Sequence, residues 1–176
     1  PCRVSTRLTL LHDTRRARSL PLKLYLPEQA RPKGLILFSH GLGGSREGGT
    51  VWLNHWASHG FAAIAVQHPG SDTSLLHNNS PLALRRAFKA AMNPDELARR
   101  VEDMRFVIRR IGHEPGLPDV INTATAIGIA GHSFGAVTVQ ILAGERRPTQ
   151  PPEPLDPRVR AALALSPSAR FEDIGP

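Results

Sequence analysis

Cysteine is almost missing from this chain: Cys2 stands alone among 176 residues, so no internal disulfide framework can form. Aromatic residues make up only 5% and do not alternate with basic ones, which argues against stacking on nucleic-acid bases. No apolar run approaches the length of a membrane span. The glycine-rich stretch Ser39 to Ser45 lacks the Lys-Ser/Thr ending of a phosphate loop, which disfavours nucleotides. His55 and His59 are four apart but have no third ligand nearby in sequence, so no metal or cofactor is expected. The opening Pro1-Cys2-Arg3 carries no initiator methionine and no signal-peptide pattern. We therefore expect the true amino terminus to lie upstream, and the compartment is not legible. The most consequential absence is histidine after position 132: all eight histidines come at or before it.

What is present describes one domain. A hydrophobic content of 40% and a mean hydropathy of -0.22 fit a globular protein with a substantial core. The net charge of +7 comes almost wholly from arginine, in doublets such as Arg99-Arg100 and Arg109-Arg110. These read as solvated helix faces rather than a nucleic-acid surface.

Strand and helix signals alternate. Val4 to Leu11 and Leu20 to Leu26 are partly alternating runs around the polar stretch His12 to Ser19, an antiparallel pair. Gly34 to Phe38, Phe61 to Val66 and Ala126 to Ala130 are short unbroken apolar runs, suited to strands covered on both faces. Arg160 to Ser166 is one strand more. Thr50 to His59 reads as a helix packed through Val51, Trp52 and Trp56, and Leu82 to Ala91 as a short helix within an irregular connection that suits a pocket wall. Asn93-Pro94-Asp95-Glu96 is a helix start with a capping box, followed by a stripe through Leu97, Val101, Met104, Ile108 and Ile111 that leaves the arginines mainly off it. Arg146 to Pro157 reads as a surface loop. The pattern predicts an α/β domain with a mostly parallel sheet.

The chain is organised around Thr125 to Leu142, a buried strand, a sharp turn and a helix in succession. Its turn, Gly131-His132-Ser133-Phe134-Gly135, has the G-x-S-x-G form of a nucleophile elbow. A serine in such a turn needs neighbours without a Cβ, and its hydroxyl then stands at the carboxyl end of the sheet beside the N–H groups of a helix start. The glycine loop after Phe38 pairs naturally with this elbow, as the other half of an oxyanion hole.

FSHGLGGS from Phe38 to Ser45, ASHGF from Ala57 to Phe61, VQHPGSD from Val66 to Asp72 and GHSFGA from Gly131 to Ala136 together resemble the α/β-hydrolases related to platelet-activating-factor acetylhydrolase, including the bacterial proteins labelled predicted dienelactone hydrolases. The blocks run in the same order from about Leu20 to Ser168. The resemblance implies an α/β-hydrolase fold with a mostly parallel, doubly wound sheet, no cofactor, and hydrolysis of small carboxylic esters with short acyl groups. It makes Ser133 the nucleophile and the N–H groups of Leu42 and Phe134 the oxyanion hole, with His40 and Gly41 shaping the loop that presents Leu42. His132, beside the nucleophile in a tight turn, projects elsewhere and is not the base. A dienelactone hydrolase has cysteine at the elbow, so that label carries no substrate information here.

The departure is the missing histidine. The family order is serine, acid, histidine, and downstream of Ser133 only Asp173 is placed like an alternative acid. The expectation is therefore a single, incomplete domain over residues 1–176, truncated after the sixth strand, near-inactive alone and prone to self-association through an exposed sheet edge. The alternative is a non-catalytic binding or interaction protein on the same scaffold.

Overall fold

A computed structural model describes residues 1–28, 31–77, 80–124, 126–146 and 154–167. Strands β1 (Val4–Asp13) and β2 (Arg18–Pro27) form an antiparallel hairpin, with Val4 opposite Pro27 and Asp13 opposite Arg18. Both strands run further than their apolar residues suggest. The polar stretch extends the ladder, because His12 Nδ1 and Ser19 Oγ hydrogen-bond at 2.9 Å and Arg16 N–H donates to the Asp13 carboxylate in the turn.

Four parallel strands follow: β3 (Leu35–Ser39), β4 (Ala62–Val66), β5 (Ile127–His132) and β6 (Val159–Leu165). The sheet order is β1-β2-β4-β3-β5-β6, with β2 antiparallel to β4. All five residues of β4 are buried, as an unbroken apolar strand covered on both faces should be. On the outermost strand, β6, residues 160–164 are exposed.

Helix α1 (Thr50–Ser58) covers one face through Leu53 and Ala57, packed with Tyr25, Phe38, Ala63 and Ala65. The expected packing through Val51 is corrected, since Val51 is 80% exposed; Trp52 is partly exposed but rests 5.8 Å from the Phe38 ring, and Trp56 packs on the same cluster. Residues four apart share a helix face, and the face turned inward holds 53 and 57. Helix α2 (Pro81–Ala91) lies in the connection after β4, beyond a 3-10 turn at Thr73–His77. Helix α3 (Pro94–Arg110), the short α4 (Asp119–Asn122) and α5 (Phe134–Leu142) complete the set. Leu97, Val101, Met104 and Ile108 of α3 join Val137 and Ile141 of α5 in the larger core on the opposite face.

Asn93 caps α3, its Oδ1 accepting the Glu96 N–H at 2.8 Å. Glu96 does not close the box in return. Its side chain is buried, with Oε2 accepting from Arg99 and Oε1 without a partner among the described residues. A second correction concerns Arg100, which is fully buried rather than solvated. Loops from the ends of β3 and β4 pack over its side of α3, so a position off the apolar stripe is still interior. Most of the Arg146 to Pro157 loop, and Asp173, lie outside the described residues.

Candidate active site

Strand β5 ends at His132, α5 begins at Phe134, and Ser133 alone makes the turn with φ 53° and ψ -117°. A non-glycine residue there is strained, by about 1–3 kcal/mol, and holds its place only because the surroundings dictate it. Those surroundings are backbone. A Cβ on Gly131 would lie 2.2 Å from the Gly135 carbonyl oxygen, and a Cβ on Gly135 would lie 2.0 Å from the Ser39 carbonyl oxygen. Both glycines of the motif therefore let α5 close down on the ends of β5 and β3.

The loop after β3 crosses in front of this turn, where a Cβ on Gly41 would sit 3.5 Å from Ser133 Cβ. Leu42, Gly43, Trp52, Phe88, Met92 and the half-buried Ser133 line one cleft of about 480 Å³. Phe88 of α2 presses on the loop at Gly43, which has φ 71° and where a Cβ would meet the ring at 2.6 Å. The Trp52 ring stands 5.7 Å from that of His132. The structure thus brings Leu42 and Ser133 to one cleft, while the Phe134 side chain is buried behind it. Among the described residues no hydrogen bond joins the Ser133 hydroxyl to a histidine.

Behind the cleft lies a polar network that the pattern of apolar residues does not reveal. Ser39 Oγ and His68 Nε2 are 2.9 Å apart, and His68 Nδ1 and Asp103 Oδ2 are 3.0 Å apart. Asp103 also accepts from Arg16 Nη1 at 2.9 Å and from Arg18 Nε at 2.8 Å. This is a serine, histidine, aspartate relay, but all three side chains are buried and Arg100 Nη2 donates to Ser39 Oγ at 3.2 Å. No ester can reach it. One sequence signal points to the network: Glu96, Arg100 and Asp103 recur at i, i+4 and i+7, the spacing of a single helix face.

Burial, reinforced by the Arg100 cation, pulls the His68 imidazole down to about 4 despite its bond to Asp103. Burial raises Asp103, but the hydrogen bonds from His68 and Arg18 outweigh it and hold the carboxyl below its usual range. His68 is thus neutral at pH 7, giving Nδ1–H to Asp103 and accepting the Ser39 hydroxyl proton at Nε2. Burial likewise pulls His40 well below its ordinary value, followed by repulsion from Arg100 and His68. Both histidines bind a proton more readily unfolded than folded. Their contribution to stability is complete above about pH 6.5 and is lost as pH falls, His68 contributing about 3 kcal/mol of that loss by pH 4. Chemical unfolding at stepwise pH should show this slope between 6.5 and 4, ahead of the carboxylate range, and His68→Asn should make it shallower, leaving the share of His40. A level midpoint across that window would contradict the buried neutral state.

A six-stranded sheet in this order, with the serine turn at the carboxyl end of β5, is the α/β-hydrolase fold. Similar solved structures include a ferulic acid esterase from Streptomyces cinnamoneus, with 22% identity, 81% of this chain and 56% of that chain covered, and a TM-score of 0.60. A Klebsiella pneumoniae protein described as a candidate dienelactone hydrolase has 16% identity, coverage of 92% and 59%, and a TM-score of 0.65. A cold-adapted esterase from an Arctic intertidal metagenomic library has 18% identity, coverage of 91% and 60%, and a TM-score of 0.59. The chain therefore spans under two thirds of the length of each. No protein-family model and no curated protein matches the sequence. No helix among the described residues is long and apolar enough to cross a membrane.

Proposed function

We propose that this chain carries the nucleophile and oxyanion-hole half of a serine hydrolase acting on small carboxylic esters. The observation that supports this most directly is the strained Ser133 between β5 and α5, opening onto a cleft bordered by the glycine loop. Ser133 Oγ attacks the ester carbonyl carbon, and the N–H groups of Leu42 and Phe134 receive the resulting oxyanion. Collapse expels the alcohol and leaves an acyl-serine, which water then cleaves to the acid. The Trp52, Phe88 and Met92 walls offer an apolar surface to a short acyl or alcohol group.

A neutral serine is a weak nucleophile without a base. None follows in sequence as a histidine, so the 176 residues alone should turn over esters several orders of magnitude more slowly than a serine hydrolase with a paired base. Covalent labelling is the better test. A fluorophosphonate should form an Oγ–P bond at Ser133, releasing fluoride and passing the hydroxyl proton to solvent. Intact and peptide mass spectrometry should find the adduct at Ser133 before any other serine, and Ser133→Ala should lose it. Label spread equally over serines, together with small-molecule binding unchanged in Ser133→Ala, would instead favour a non-catalytic binding protein.

A further inference from the structure

We propose that Arg100 is a positioning residue that holds the loop presenting the Leu42 N–H, and that its cation lies behind both oxyanion donors; the second half rests on the reading of Ser133 as nucleophile. The guanidinium is fully buried in mid-α3, yet it reaches the end of β3, the loop after β4 and the helix that follows Ser133. Nη2 donates to the carbonyl of His40 and to Ser39 Oγ, at the end of β3. Nη1 donates to Ser71 Oγ at 2.9 Å, in the loop after β4. Nε reaches Thr138 Oγ1 at 3.4 Å, in the helix that follows Ser133, and the group sits 4.8 Å over the Phe134 ring.

The link from Arg100 to Leu42 runs through two peptide units. With the His40 carbonyl held by Arg100, the His40 ring is clamped on both nitrogens: Nδ1 donates to the Gly41 carbonyl at 2.6 Å and Nε2 accepts the His68 N–H at 3.1 Å. The peptide between Gly41 and Leu42 is planar and trans, so a Gly41 carbonyl drawn toward the His40 ring turns the Leu42 N–H the opposite way. Ser71 adds a second tie, its carbonyl accepting the Gly43 N–H at 2.9 Å.

An apolar residue of similar volume would satisfy the packing of α3 and avoid burying a charge. What it would not supply is a donor fork for two loops and a helix, or a positive charge in a dry interior beside His40 and Phe134. There a cation favours negative charge developing on the other side of the same peptides.

Two measurements on the 176-residue chain test this, with Arg100→Met, Arg100→Lys and, should those fail to fold, Thr138→Val and Ser71→Ala. Amide hydrogen exchange should accelerate at Gly43, whose N–H is bonded to the Ser71 carbonyl, and at Gly44, whose N–H is bonded to the Gly41 carbonyl, while Leu24 and Ile64 in the sheet stay protected. The maximal rate of fluorophosphonate labelling at Ser133 should fall about 10²-fold in Arg100→Met at unchanged reagent affinity, recover partly in Arg100→Lys, and fall less in the single hydrogen-bond variants. Unchanged exchange at Gly43 and Gly44, or equal acceleration at every amide, would overturn the positioning role. A parent chain that never labels at Ser133 while its loop loosens in Arg100→Met would sink the nucleophile reading and the electrostatic half, and leave the loop anchor standing.

Discussion

Gly135→Ala is expected to lower the unfolding free energy by at least about 3 kcal/mol, the upper range for overpacking, and to abolish the ordered turn at Ser133. The added methyl would stand 2.0 Å from the Ser39 carbonyl oxygen and 2.7 Å from that of His40. These are backbone atoms at the end of a central strand, paired on both sides with β4 and β5, so no side-chain rotation relieves the clash. Either α5 lifts away from the sheet or β3 breaks its ladder. Both outcomes move Ser133 relative to Leu42. Gly144→Ala is the contrasting control: unlike Gly135 it has a positive φ, 104°, but nothing lies within 4 Å of the new Cβ. Its loss should be confined to the backbone strain, about 1–2 kcal/mol. Denaturant unfolding of the two variants separates close approach from glycine's conformational freedom. Equal losses would contradict the packing described for the turn.

Asp103→Ala is expected to destabilise by about 3–5 kcal/mol, the range for breaking a buried ion pair by removing one partner. Asp103 is wholly buried, and its carboxylate accepts from Arg16, Arg18 and His68. Arg18 reaches it twice, through Nε at 2.8 Å and Nη2 at 2.9 Å, in the bidentate form that fits a carboxylate best. Removing it leaves two arginines of the hairpin and the buried Arg100 with less negative charge in their surroundings, and takes from His68 the acceptor that orients its ring. Because Arg16 and Arg18 belong to the β1–β2 hairpin and Asp103 to α3, the loss should loosen the hairpin first. Hydrogen exchange along β1 is the sensitive readout. An Asp103→Ala protein within about 1 kcal/mol of the parent would mean that Leu20, Leu22 and Leu24 alone hold the hairpin to the core.

The two predictions differ in how visible they are before the structure is known. The need for Gly131 and Gly135 follows from the strand-turn-helix pattern around Ser133, all within about 18 residues of chain. The three parallel strands with unbroken apolar runs, and the start of α3 at Asn93-Pro94, are legible for the same reason. Each is set by steric and hydrogen-bonding preferences among near neighbours, which repeat with the period of the element they form. The orientation of α1 was less legible, because Val51, Trp52, Leu53 and Trp56 are all apolar and only the sheet decides which face turns inward.

What the sequence by itself determined is the local frame of the site: a buried strand ending at a serine turn, the glycines that permit it, and an α/β alternation that places a glycine loop at the end of a neighbouring strand. What only the tertiary structure decided is the polar interior behind that frame. Ser39, His68 and the α3 pair Arg100 and Asp103 come from three separate segments and meet because β3 lies between β4 and β5 while α3 carries its two side chains to the carboxyl ends of β3 and β4. An arginine on a helix reads as solvated unless it is known which loops will cover it. Here the covering loops and α5 supply four neutral oxygens to its N–H groups, so the burial that a charge ordinarily resists becomes tolerable, and the guanidinium becomes a fixed point for the site.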